Sequence, residues 1–386
     1  MFVKQYYVIF TMKLPLLSIL SFFVLNGQQT QLNTSIDISP PQFDQKNINI
    51  DGYLDEVEWS KAVSRSGFTS YLPVDGRPAI DDTEVRIWYS PKALYIGLIA
   101  SEIHNEVRST LADRDKLEND DYLILILDTY DDKRSAFAFV VNPLGQQGDG
   151  TITDNTSTGR NSKSFRLDDN PDYVFNSRGR VTEDGFIVEI EIPFKSLRYQ
   201  RKNTQNWGFN VLRYIQHSGY TSTLVSTKLG IASFLGQSGK LVNLSGIERD
   251  RIFDINPEIR GAVSRATDDK KFNSEMTDPV GFNIRYARSS NVGINATVNP
   301  DFSQIEADVA QINYDPRRSL YFPEKRPFFL DGIERFQTPT RLIYTRRIAN
   351  PVAAGKIAGK FGPNTVGYIS AADNSGPSIS EMNLSY

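Results

Sequence analysis

Val85-Arg-Ile-Trp-Tyr-Ser-Pro-Lys-Ala-Leu-Tyr-Ile-Gly-Leu98 reads as two strands and the turn between them. Val85, Ile87 and Tyr89 alternate with Arg86 and Trp88. Ser90-Pro91-Lys92 reverses the chain, and Leu94, Ile96 and Leu98 resume on one face. A period of two marks a strand with two unlike faces, whereas a helix would space its apolar residues by three and four. The rhythm continues outward. Tyr122–Leu127 is continuously apolar and closes on Asp128, as expected of a central strand covered on both sides. Ala136–Val141 is similar, Phe186–Ile192 alternates with Glu189 and Glu191 on one side, and Trp207, Phe209 and Val211 alternate again. Ile192–Leu197 holds at most a short turn, and no helical stripe of comparable length occurs. Strands punctuated by Gly, Asp and Asn over residues 42–245 predict an all-β fold, a β-sandwich.

A chain of 386 residues has room for two domains with cores of their own. A net charge of −3 gives no electrostatic reason to expect a nucleic-acid partner. With no Cys there is no disulfide framework and no thiolate metal site. Lys4 and Lys13 precede an apolar run, Leu14–Leu25, followed by polar Asn26-Gly27-Gln28-Gln29. Such a run rises about 18 Å as a helix, short of a bilayer core of about 30 Å. Basic end, short apolar core and polar exit predict a signal peptide over residues 1–28, set aside from the fold, with Met12 an alternative start. Export follows, to the outer membrane, the periplasm or the cell surface.

Ile50-Asp-Gly-Tyr-Leu-Asp-Glu-Val-Glu-Trp59 and the strand pair from Val85 resemble the opening of family 9 carbohydrate-binding modules. Asn119–Asp128, Gly185–Phe194 and Trp207–Arg213 fit the same pattern in order, over residues 42–245. The resemblance implies a sandwich that binds a glycan or oligosaccharide. Sugar rings pack their C–H faces on Trp or Tyr while polar groups fix the hydroxyls. Trp59, Trp88 and Trp207 all fall in framework segments and read as core. Where the family's sugar-binding members carry a sandwiching Trp pair, this chain has Glu118 and Ala232. Tyr173 and Tyr220 are the candidate replacement rings (Phe175 and Tyr199 the alternatives), with Glu118, Asp120 and Asp121 as polar contacts.

Asp113, Asp115, Asp120 and Asp121 crowd one short segment. Hard oxygen ligands at this density are a candidate Ca²⁺ set, although Arg114 and Lys116 interleave them and an ion-paired loop is the alternative. Gly148-Asp-Gly-Thr-Ile-Thr-Asp-Asn-Thr156 reads as a further loop of the same kind.

From Ile252 the strands lengthen. Val280, Phe282, Ile284 and Tyr286 share a face, Ser289-Ser290-Asn291 turns, and Val292, Ile294, Ala296 and Val298 follow; the intervening positions are small or polar. A half-buried sheet and a transmembrane barrel both show this alternation. Val298–Asn313, Phe322–Gly332, Leu342–Ile348 and Gly355–Lys360 resemble the C-terminal domain of large Gram-negative surface proteins. That resemblance implies the first strands of an outer-membrane barrel over residues 247–386: an incomplete antiparallel sheet after the sandwich. Glu324-Lys325-Arg326 and Arg346-Arg347 read as a buried junction network or a solvated face.

Together these readings predict an exported, non-catalytic surface carbohydrate-binding protein associated with carbohydrate catabolism. The alternatives are a structural or transport part of an outer-membrane barrel, with the sandwich as plug or lid, and a hydrolase acting on O-glycosyl bonds. Hydrolysis would need two carboxyls about 5–10 Å apart, and no motif marks such a pair.

Overall fold

The computed structural model describes residues 5–12, 36–44, 48–104, 106–153, 167–169, 171–200, 202–231, 233–248, 252–259, 262–264, 273–275, 280–289, 292–300, 324, 326–332, 336, 343–348, 351–361 and 364–373. The chain divides into two compact units, residues 18–249 and residues 1–17 with 250–386. The fold is all-β, as the alternation predicts, and among the described residues no sheet closes into a barrel. Strands are numbered along the chain, so β1 (Gln5–Met12) belongs to the second of these units.

Residues 18–249 form two sheets. The five-stranded one runs β10 (Asn176–Thr182), β11 (Gly185–Pro193), β6 (Ala93–Ser101), β5 (Thr83–Tyr89) and β3 (Val63–Arg65). The eight-stranded one runs β2 (Asp37–Ile38), β14 (Gly239–Ser245), β12 (Thr204–Ile215), β7 (Tyr122–Asp128), β8 (Ser135–Val141) and β9 (Gln147–Thr153), with β13 (Tyr220–Thr223) and β4 (Thr69–Leu72) branching from β12. One set of alternate residues from each sheet meets in the core between them: Val85, Ile87, Leu94, Ile96, Leu98, Val188 and Ile190 against Leu123, Leu125, Phe139, Phe209 and Val211.

The other set is also covered. On the five-stranded sheet, the helix α1 (Val57–Lys61) brings Trp59 onto Trp88 and Tyr95, whose rings stack at 3.9 Å. On the eight-stranded sheet, Ile124, Ile126, Ala138, Val140 and Leu212 lie beneath Tyr71, Leu117, Phe234 and Leu235. This second cover is why Tyr122–Leu127 is apolar without a break. All three Trp are buried core, as their framework positions predict.

The other unit is a six-stranded sheet in the order β1, β21 (Asn364–Asp373), β20 (Pro351–Phe361), β19 (Val292–Val298), β18 (Val280–Ser289) and β15 (Ile252–Ile259), beside a short pair of β16 (Ala262–Ser264) and β17 (Asn273–Glu275). Gln5–Met12, within the segment set aside as a signal peptide, thus pairs with β21. The apolar run Leu14–Leu25 lies outside the described residues. So does most of Val298–Gly332, but α2 (Pro327–Leu330) lies on one face of the sheet, where Lys356 reaches the carbonyls of Phe328 and Asp331. Glu324 and Arg326 form a buried ion pair at 2.7 Å, and Arg326 also donates to the carbonyls of Ile348 (2.6 Å) and Thr345 (2.9 Å). Of the two readings, the buried network holds for Glu324 and Arg326, whereas Arg347 is exposed and Lys325 lies outside the described residues.

Candidate functional site

Asp120 and Asp121, shared by the sugar-binding and cation-binding candidate sets, lie in the segment that enters β7. They are its fixed points, and both are buried. Asp120 Oδ2 accepts from the Thr110 backbone N–H (3.1 Å), the Thr110 hydroxyl (3.0 Å) and Asn142 Nδ2 (2.8 Å). Asp121 accepts from the N–H groups of Gln216 (2.8 Å) and Arg108 (3.2 Å). Burial raises the Asp121 pKa, and the N–H donors only partly offset it. These carboxylates staple the loop to β8 and β12. Burial takes both off any surface that a glycan could touch, which corrects the expectation from sequence.

Glu118 is exposed and stays available. Its charge lies near the phenol of Tyr122, which burial and the neighbouring Tyr214 also push upward in pKa. Tyr122 and Tyr214 are cross-strand partners on β7 and β12, and their rings stack at 4.8 Å with 22° between planes. Both are half-buried and sit on the outer face, next in line after Ile124 and Leu212. Tyr71, edge-on to Phe234 at 5.6 Å, helps to roof the apolar floor of the same face. The stack was readable as two tyrosines at alternating positions, but only the β7–β12 register brings them together.

The two tyrosines expected to replace the Trp pair do not share a site. Tyr173 packs its ring against Phe137 (4.9 Å) and bonds Thr151 through its hydroxyl (3.0 Å). Tyr220 pairs with Ile215, one step past the Tyr122–Tyr214 pair, and is 42% exposed. Thr151 and Phe137 lie level with Leu127, at the other end of β7. About six strand residues, or roughly 20 Å, separate the two tyrosines. Phe175 and Tyr199 are core. Ala232 lies outside the described residues.

The four aspartates of the Ca²⁺ set do not converge either. Asp113 is exposed, and Asp120 and Asp121 are consumed as described. Asp115, held at φ +62°, instead joins Asp149 and Asp172, with one carboxylate oxygen of each lying within 4.8 Å of the others. Asp149 comes from the Gly148–Thr153 stretch expected to be a loop, which is strand β9. Its glycines allow close approach: a Cβ on Gly150 would lie 2.3 Å from the Asp168 carbonyl oxygen. Residues 154–156 lie outside the described residues.

Arg114 already occupies this acidic group. It pairs with the fully buried Asp149 and lies 3.6 Å from Asp172; it also donates to Gln147 Oε1 (2.8 Å) and the Tyr173 carbonyl (2.7 Å). Burial pushes the Asp149 carboxyl up to about 6 against the pull of the Tyr173 N–H and the guanidinium. With Arg114 on two of the three carboxylates, the arrangement is an internal ion-pair clamp between the loop, β9 and the segment before β10, and a poor fit to Ca²⁺.

Residues 258–360 match DUF5916, a domain of unknown function. No curated protein matches the chain. Among solved structures, a family 9 carbohydrate-binding module from Caldicellulosiruptor kristjanssonii in complex with cellotriose is similar at 14% identity and TM-score 0.37, covering 54% of this chain and 94% of its own. A complex of a family 9 module from the same organism with glucose gives 13% identity and TM-score 0.38, covering 54% and 96%. At that distance neither assigns a ligand to this chain.

Proposed function

We propose that this chain is an exported, non-catalytic carbohydrate-binding protein of the cell surface, associated with carbohydrate breakdown. The observation that carries the reading is the half-buried Tyr122–Tyr214 stack, with exposed Glu118 beside it, on the outer face of the sandwich. An aromatic edge next to a carboxylate offers a pyranose both a C–H contact and a hydroxyl acceptor. The five segments that resemble family 9 modules include β7, β11, parts of β5, β6 and β12, and the loop entering β7, which fits this placement. Calorimetric titration against an oligosaccharide panel tests it. Binding should be accompanied by a change in tyrosine fluorescence, and Tyr122→Ala/Tyr214→Ala should weaken it at least tenfold with the far-UV spectrum unchanged. Equal affinity in that variant would sink the assignment.

The hydrolase alternative is less well served. Asp115, Asp149 and Asp172 bring carboxylates together, but Asp149 is wholly buried and paired with Arg114. Such a group cannot reach a glycosidic oxygen without unmaking the clamp.

Membrane association is a second reading, and a specific observation favours it. Phe253, Ile255, Ile259, Val280, Phe282, Ile284, Ile294, Val298 and Ile357 are 39–81% exposed, and the strand registers place them on one face of the six-stranded sheet. The opposite face is mixed: Asn295, Thr297 and Lys356 are buried on it beside Ala354, Ala358, Ile369 and Ala371. An apolar outer face with polar groups turned inward is the order of a lipid-facing sheet, and strands of 10 or 11 residues (β18, β20, β21) suit a bilayer crossing. This supports an outer-membrane location and a structural or transport role for this unit.

A further inference from the structure

The chain has two histidines, His104 and His217. One follows β6 and the other lies just beyond β12, yet their rings meet edge to face, with centroids 6.0 Å apart and 83° between planes. His217 Nδ1 is closed off from solvent and has no hydrogen-bond partner. Buried imidazole nitrogens are seldom left without one. Beside the pair stands Glu102, 4% exposed, whose Oε1 accepts the His104 backbone N–H at 3.3 Å. Its Oε2 has no hydrogen bond, although Arg213 Nη2 lies 3.5 Å away. The carboxylate of Asp121 is within electrostatic range of His217.

We propose that His104 and His217 form a binding site for a divalent first-row transition metal, with Glu102 kept by Arg213 as a charge behind the pair and not as a ligand. Imidazole nitrogens favour Zn²⁺, Cu²⁺ or Ni²⁺ over the oxygen-seeking Ca²⁺ and Mg²⁺. Two imidazoles held about 2.0–2.1 Å from one metal have ring centroids roughly 5–6 Å apart, so the observed spacing needs only side-chain adjustment. A bound metal would satisfy the orphaned nitrogen. It would also tie the segment that carries Glu118 to the end of β12, a brace distinct from the acidic clamp around Arg114.

The test is calorimetric titration of untagged full-length protein with ZnCl2, alongside thermal unfolding with and without Zn²⁺. One equivalent should bind and raise Tm, and equimolar Ca²⁺ should not displace it. His104→Ala, at an exposed position, and His217→Ala should each weaken binding at least tenfold, while Asp149→Asn should retain it. With CuCl2, paramagnetic resonance should show coupling to two nitrogens in the parent and to one in His104→Ala. Absence of Zn²⁺ binding, or parent-like affinity in His104→Ala with its far-UV spectrum unchanged, overturns the site and leaves the pair as a ring contact only.

Discussion

Glu189 joins two segments that sequence leaves far apart. Its carboxylate accepts from the backbone N–H groups of Asp51 (3.0 Å) and Gly52 (3.1 Å) and from the indole of Trp59 (3.2 Å). The motif Ile50–Trp59 is therefore a lid fastened to β11, and Gly52, at φ +88°, supplies the left-handed turn that aims its N–H inward. Burial still dominates and pushes the carboxyl from the usual 4.5 up to about 7. A folded pKa above the unfolded one means that the native state holds the proton more tightly. The stability this group contributes is complete below about pH 4.5 and is lost as pH rises through 7. Asp128 and Asp149, both pushed up to about 6, act in the same direction over a lower window. Stability should accordingly fall between about pH 4 and 7, and Glu189→Gln should flatten the upper part of that slope by up to about 1.4 kcal/mol per pH unit. Urea titrations across the range decide it, since an unchanged slope in Glu189→Gln would place the titration elsewhere.

At the level of strands and loops, what could be read from sequence was what local periodicity encodes. The β5–β6 hairpin, the alternation of β11 and the doubly covered β7 follow from residues adjacent in the chain. The partners that build the clamp do not: Asp115, Asp149 and Asp172 meet only because β9 pairs with β8 and the segment before β10 folds back on it. The cue available was Gly148-Asp-Gly, read as a loop because glycine usually punctuates; here it makes room in a strand. Arg114 is central to this joint, as its guanidinium spans Asp149, Asp172, Gln147 and the Tyr173 carbonyl. Arg114→Ala would leave Asp149 buried without its cation, at a cost of about 1–3 kcal/mol given that Arg114 is itself partly exposed. The loss should be greatest above pH 6, where Asp149 would otherwise be charged. Hydrogen exchange should quicken locally in residues 111–117 and 171–175, whereas a uniform change across both sheets would mean that the clamp is not a local joint.

Across the whole molecule, the two units manage apolar surface in opposite ways. The sandwich covers both outer faces, one with α1 and the other with Tyr71, Leu117, Phe234 and Leu235. The six-stranded sheet buries its inner, mixed face under Phe328, Phe329 and Phe336 and exposes Phe253, Phe282 and Ile284 on the other. Alternation in β18 and β19 foretold the two faces but not which would be exposed. That choice is made by residues distant in sequence: Asp331 bonds Asn295 and its backbone carbonyl receives Lys356, so the side carrying Asn295 and Lys356 becomes the inner one. A bare face of this composition in water invites aggregation, and hydrocarbon relieves that. Phe282 and Ile284 lie on β18, opposite Val298 and Ala296 on β19 and Pro257 and Ile255 on β15. Lysine placed at the midplane of a lipid-facing strand costs about 2–4 kcal/mol, so Phe282→Lys/Ile284→Lys should lower partition into phosphatidylcholine vesicles by more than tenfold. Lysines at Asp254 and Asn256, one step off in register and therefore on the other face, should leave partition within about threefold if burial in lipid is confined to the apolar side. Flotation of the purified full chain with such vesicles measures both, and equal losses in the two variants would mean that general charge, not a lipid-facing surface, governs association.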